Sequence, residues 1–129
     1  MLYLDSSAIV KLVARERETQ DLVEVLRADP AVISSALAWT EVIRAVRRAR
    51  GPVARASEVL DGIAFVPIDE GILRAAADLE PLGLRTLDAI HVATALSLRE
   101  DISGLVVYDR HLAEAAVAAG IPVVAPGVG

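Results

Sequence analysis

Four carboxylates in this chain of 129 residues fall where strands and helices would carry them to one crevice. Asp5 closes the apolar run Leu2-Tyr3-Leu4, and Asp109 closes the run from Leu105 to Tyr108. Asp88 lies in the first turn of a strongly apolar helix, and Glu41 rides the edge of an amphipathic one. In an open parallel sheet, ligands collect beyond the carboxyl ends of the strands, where strand order reverses. Two carboxylates about 4 Å apart repel by roughly 4 kcal/mol at an effective dielectric near 20. A cluster of them must be protonated or neutralised by a cation. All-oxygen ligation in a chain without cysteine selects a hard ion, Mg2+ or Mn2+. Such an ion could bind phosphate oxygens, activate water and stabilise a leaving oxygen.

Each acid also has a plainer reading. Asp5 and Asp109 could simply cap the helices that follow them. Asp88 could complement a helix dipole, and Glu41 could pair with Arg44 at the surface. His91 shares a helix face with Asp88 and reads as a core or supporting histidine with no catalytic role. Arg44, Arg47, Arg48, Arg50 and Arg55 crowd into one short region. They form either a solvated helix face or a patch that contacts phosphates.

The elements that must position these residues alternate along the chain. A strand over 2–4 leads to a helix capped by Ser6 or Ser7 and running to Val13. A helix over 16–26, stopped by Asp29-Pro30, precedes a strand over 31–34. Ser34 or Ser35 should cap the helix over 36–50, with Trp39, Val42, Ile43 and Val46 as its apolar stripe. Gly51-Pro52 pairs a helix stop with a helix start before a helix over 53–60. A strand over 64–67 and a helix capped by Asp69 follow. After the loop over 80–85, Thr86 should cap the most apolar helix, then come a strand over 105–108, a helix over 110–119 and a strand over 122–125. Alternating strands and helices predict one three-layer α/β domain over 1–129 with a parallel sheet. In a doubly wound sheet of order 3-2-1-4-5, the first and fourth strands are neighbours and Asp5 and Asp109 face one crevice.

Composition bounds the rest. Hydrophobic residues make up 54% and aromatics only 3%, so the core must be aliphatic. The absence of cysteine excludes a disulfide scaffold and thiolate metal sites. Asp5 and Lys11 interrupt the opening apolar run, so no signal peptide is expected, and no stretch reaches bilayer length. A soluble cytoplasmic protein is the expectation. The net charge of −5 argues against binding nucleic acid through bulk charge, though four acids neutralised by metal would leave the remainder near balance. A mean hydropathy of +0.49 fits either apolar surface awaiting a partner or a dense core.

Asp5-Ser6-Ser7, Thr40-Glu41-Val42-Ile43-Arg44, the run from Leu84 to Ala95 and Val107-Tyr108-Asp109-Arg110-His111-Leu112 together resemble the PIN domain. The likeness is greatest to the VapC toxins of toxin–antitoxin pairs and covers essentially the whole chain. It implies an endoribonuclease dependent on Mg2+ (or Mn2+) that cleaves single-stranded RNA, leaving a 5′-phosphate and a 3′-hydroxyl. Asp5, Glu41, Asp88 and Asp109 would be its acidic quartet, with metal contact through Asp5, Asp88 and Asp109. Glu41 would act through water or position the attacking water, Ser7 would support the site, and Arg44, Arg47 and Arg48 would hold the RNA backbone. The resemblance further implies a VapB-type antitoxin that blocks the cleft, and a homodimer or toxin–antitoxin hetero-oligomer. One departure is Val107, where relatives often carry Thr or Ser.

Other readings are a PIN fold without catalysis and a receiver-like Mg2+-binding interaction module. A receiver needs adjacent acids at its first strand and a lysine after its fifth, whereas the one lysine here is Lys11. A HAD-type phosphatase needs a second aspartate where Ser7 stands.

Overall fold

The aliphatic runs form short strands, and the two at the centre are buried throughout, as central members of a parallel sheet covered on both faces must be. In a computed structural model that describes residues 1–128, the order is β1 (Leu2–Leu4), α1 (Ser6–Val13), α2 (Thr19–Ala28), β2 (Val32–Ser35), α3 (Leu37–Arg48) and α4 (Val53–Asp61). There follow β3 (Ala64–Val66), α5 (Glu70–Ala77), α6 (Thr86–Ser97), β4 (Gly104–Val106), α7 (Arg110–Ala118) and β5 (Val123–Val124). The expected domain end at Gly129 lies outside the described residues.

The five strands pair in parallel, as the alternation predicts, in the expected doubly wound order β3-β2-β1-β4-β5. The reversal falls between β1 and β4, which run in register from Leu2 opposite Gly104 to Leu4 opposite Val106. The Asp5 amide extends this ladder by donating to the Val106 carbonyl. Successive β1 side chains point to opposite faces. Leu2 and Leu4 pack with Ile9, Leu22, Val42 and Leu60 on the side of α1 and α3, while Tyr3 packs with Val92, Leu105 and Leu112 beneath α6 and α7. A third cluster joins Ile72 to Ile90 and Ala93. The first two clusters fill the two faces of the sheet, giving the expected layers of helices, sheet and helices. α6 is buried continuously from Ala89 to Ala95, as a helix apolar nearly all round must be.

Local details correct the sequence reading. Thr86 does not cap α6; it is the first helical residue, and Arg85 precedes it without a side-chain cap. Asp5, not Ser6 or Ser7, caps α1. Ser35 Oγ accepts from the Leu37 amide, while Ser34 Oγ donates to the Leu4 carbonyl. Trp39 leaves the predicted stripe: it is 40% exposed and packs edge-on against Phe65, and Ala38 takes its place inside.

At the end of α3 the left-handed residue is Arg50 (φ 55°), not Gly51, whose amide bonds the Val46 carbonyl. An L-residue in that region costs about 1–2 kcal/mol, part of which glycine returns as chain entropy. Arg50→Gly is therefore expected to stabilise the chain by about 0.5–1 kcal/mol, read as a higher urea midpoint with an unchanged slope. A lower midpoint would refute the assignment.

Candidate active site

At the carboxyl ends of β1 and β4, capping and chemistry fall on the same residues. Asp5 is buried and caps α1 by accepting the Ala8 amide on Oδ1 at 3.0 Å. Ser7 Oγ donates to the same Oδ1 at 2.6 Å and accepts the Tyr108 amide at 3.0 Å. The predicted supporting serine thus ties the Asp5 carboxylate to the chain end that carries Asp109. No bond among the described residues uses Asp5 Oδ2, and none of their buried side-chain polar atoms lacks a partner. Oδ2 therefore reaches solvent. Val107 is buried in the core with Tyr3, so no hydroxyl acts from that position. Asp109 follows β4 by three residues and caps α7, accepting the Leu112 amide on Oδ1 at 2.9 Å.

Glu41 does not pair with Arg44. Its Oε1 accepts from Ser6 Oγ at 2.6 Å and lies 2.6 Å from His91 Nε2. Behind it, His91 Nδ1 stands 2.8 Å from the Tyr3 hydroxyl. The sequence reading of His91 as a buried supporting residue holds, but its partner was missed. Nothing local signals a contact across 50 positions. Asp88 lies one turn before His91 and is half-buried.

These carboxylates feel one another. Burial pushes Asp5 up to about 6, against the bonds from Ser7 and Ala8, and Asp109 adds to the rise. Asp88 is raised by burial and then by Asp109 and Glu41. Glu41 moves the other way: burial alone would raise it, but the His91 and Ser6 contacts outweigh that and leave it below its ordinary value. Asp88 and Asp109 share the wall of a cavity of about 590 Å3, with Arg85, His111 and Glu114 at its polar rim and Leu84, Ala115 and Ala118 as apolar lining.

Among the described residues, no three acidic or histidine side chains already stand together as a ligand set for a metal ion. The chemistry of the donors nonetheless suits a hard cation: the acids supply only oxygen, Asp5 keeps one oxygen open, and burial together with neighbouring acids holds Asp5 and Asp88 above their ordinary values. Arg44, Arg47 and Arg48 are exposed and line one shallow recess. Arg44 and Arg48 follow Glu41 at one and two turns along α3, on its face. Among the described residues, no helix is long and apolar enough to cross a membrane.

The PIN-domain family profile matches residues 2–124. Ribonuclease VapC46 of Mycobacterium tuberculosis is 45% identical over 129 residues, with 97% of each chain covered. Ribonuclease VapC47 of the same species is 34% identical, with 98% of each chain covered. Two solved structures share the fold: a toxin–antitoxin complex from Klebsiella pneumoniae (TM-score 0.70, 24% identity, 98% of each chain) and Mycobacterium tuberculosis VapC20, described as a toxin that cleaves the sarcin–ricin loop (TM-score 0.71, 17% identity, 98% of this chain and 100% of that one). From a sheet that reverses order beside paired strand-end acids, and from relatives alike along nearly their whole length, it follows that this chain belongs to the PIN-domain family, among the VapC ribonucleases.

Proposed function

We propose that this chain is a divalent-cation-dependent endoribonuclease that cuts single-stranded RNA and is held in check by a small VapB-type antitoxin. The observation that carries the reading is the open cavity beyond β4, walled by Asp88 and Asp109. Relatives named as ribonucleases and a fold neighbour found in a toxin–antitoxin complex support it.

Asp5, Asp88 and Asp109 would hold Mg2+ or Mn2+. Because no three donors among the described residues already stand together, the ion would complete the group, not enter a ready cage. Once bound, it would polarise the phosphodiester and lower the proton affinity of water. Ser7 keeps Asp5 aimed, and Glu41, held ionised, orients water through its remaining oxygen. Cleavage would leave a 5′-phosphate and a 3′-hydroxyl. An apolar cavity of about 330 Å3 lined by Leu73, Leu79, Leu82 and Leu84, with Leu82 almost fully exposed, supports an antitoxin or a second copy as partner.

The same absence of a ready ligand set favours a second reading, a PIN fold that binds partners without cleaving. One experiment separates them: labelled single-stranded RNA incubated with the chain in Mg2+, in EDTA, and beside an Asp5→Asn variant. Cutting in Mg2+ alone, by the intact chain alone, is expected. Cutting that survives EDTA or the substitution overturns the mechanism, and no cutting in any arm favours the binding module.

The arginines make a separate prediction. Phosphate contacts position RNA without selecting bases, and single strands give a salt slope of about 0.7 per neutralised phosphate. An Arg44→Ala/Arg48→Ala chain should show KM raised about tenfold with kcat nearly unchanged, and a slope of log KM against log salt reduced by about 1.4. An unaltered slope would leave these arginines as a solvated face.

A further inference from the structure

We propose that His91 is a positioning residue of this site: its imidazole, braced from behind by Tyr3, fixes the Glu41 carboxylate at the cleft. The inference rests on reading the cleft as that of a nuclease. Its evidence is a relay of hydrogen bonds across five elements. The Ser35 amide at the end of β2 donates to the Tyr3 hydroxyl at 3.2 Å. The tyrosine hydroxyl in turn stands 2.8 Å from His91 Nδ1. A carboxylate can only accept, so the hydrogen lies on Nε2, which donates to Glu41 Oε1 at 2.6 Å. Ser6 at the start of α1 donates to the same oxygen at 2.6 Å. The carboxylate therefore fixes a hydrogen on Nε2, and His91 itself is only 1% exposed.

Packing alone does not account for this histidine. An aliphatic side chain would fill the interior of α6 without the cost of burying two polar nitrogens, and six neighbours from Ala89 to Ala95 carry no ionisable group. Both nitrogens instead serve one direction, from a strand backbone to a carboxylate. Without His91, only Ser6 would hold the Glu41 side chain, and the looser carboxylate would lose more rotamer entropy each time it acts. With Oε1 held by two donors, only Oε2 is left to face the cleft. Partners of this kind, one shell behind a reacting group, commonly control rates by about 10–100-fold.

The test combines kinetics on RNA with spectra of the histidine ring nitrogens. His91→Ala is expected to lower kcat by about 10–100-fold with KM within about twofold, and His91→Gln, whose amide can still donate, to recover much of that loss. Glu41→Ala/His91→Ala should be no slower than Glu41→Ala alone, since His91 acts only through Glu41. In the intact chain the ring should show a protonated Nε2 strongly hydrogen-bonded, a signature lost in Glu41→Ala. Tyr3→Phe keeps the ring in the core and removes only the brace; it should lower kcat several-fold even if His91→Ala fails to fold. Losses that multiply in the double variant, or an Nε2 signal unchanged in Glu41→Ala, overturn the assignment. RNA left uncut by the intact chain overturns the nuclease reading instead, and the ring spectra still decide whether His91 holds Glu41.

Discussion

An Asp5→Asn chain is expected to lose RNA cleavage by about three orders of magnitude and yet to be more stable than the intact protein at pH 7.5. Both effects come from one carboxylate. Burial lifts Asp5 from 3.8 to about 6, while Ser7 and Ala8 pull it down only in part. A folded value above the unfolded one means that the group favours folding below about pH 4, and that this contribution is lost as pH rises through about 6. The rise corresponds to about 3 kcal/mol against the fold above that range. Asparagine keeps the acceptor for the Ala8 amide and the Ser7 hydroxyl and is as good a cap as aspartate. It removes only the charge. Urea melts should therefore place Asp5→Asn about 1–3 kcal/mol above the intact chain at pH 7.5 and level with it near pH 3.5. A thousandfold loss of kcat corresponds to about 4 kcal/mol of transition-state stabilisation, so the exchange of stability for function has the sign expected of a site built from buried charge. A variant less stable than the intact chain at pH 7.5 would show that the Asp5 charge is already well compensated in the fold.

Much of this arrangement was legible in the sequence, for reasons that differ by residue. Asp5 and Asp109 each follow an aliphatic run and precede a helix, so the alternation that dictates a parallel sheet also places them at its reversal point. The pattern alone leaves more than one doubly wound order open, and the one observed is the one that makes β1 and β4 neighbours. The plain reading of both acids as caps holds, and it engages only Oδ1, so it does not compete with a chemical role for the second oxygen. Glu41 was harder. Its spacing along α3 offered Arg44, one turn away, whereas its real partners, Ser6 and His91, arrive from other elements. The Ser7 hydroxyl likewise reaches a backbone amide 101 positions away. Long-range polar contacts leave no periodic trace, whereas burial does. Helix ends failed for a third reason: Thr86 and Gly51 have the right residue types, but tertiary packing set the boundaries one residue away, leaving Arg50 in the left-handed turn.

Magnesium is expected to raise the melting temperature of the intact chain and to leave Asp5→Asn almost unmoved. Asp88 and Asp5 are both held above their ordinary values, first by burial and then by neighbouring acids. A cation that binds only the folded state relieves that repulsion and stabilises by RT ln(1 + [L]/Kd). At ten times Kd this amounts to about 1.4 kcal/mol, or about 5 °C for a domain of this size. The ion competes with protons for the same oxygens. Its effect should therefore be larger at pH 8, where Asp5 is ionised, than at pH 5, where most of it holds a proton. Asp88→Asn and Asp109→Asn should each weaken the response, while Arg44→Ala/Arg48→Ala should not. Equal shifts in the intact chain and in Asp5→Asn would place the ion elsewhere on an acidic surface. A response that grows as pH falls would do the same, because a carboxylate site cannot gain affinity for a cation while it is gaining protons.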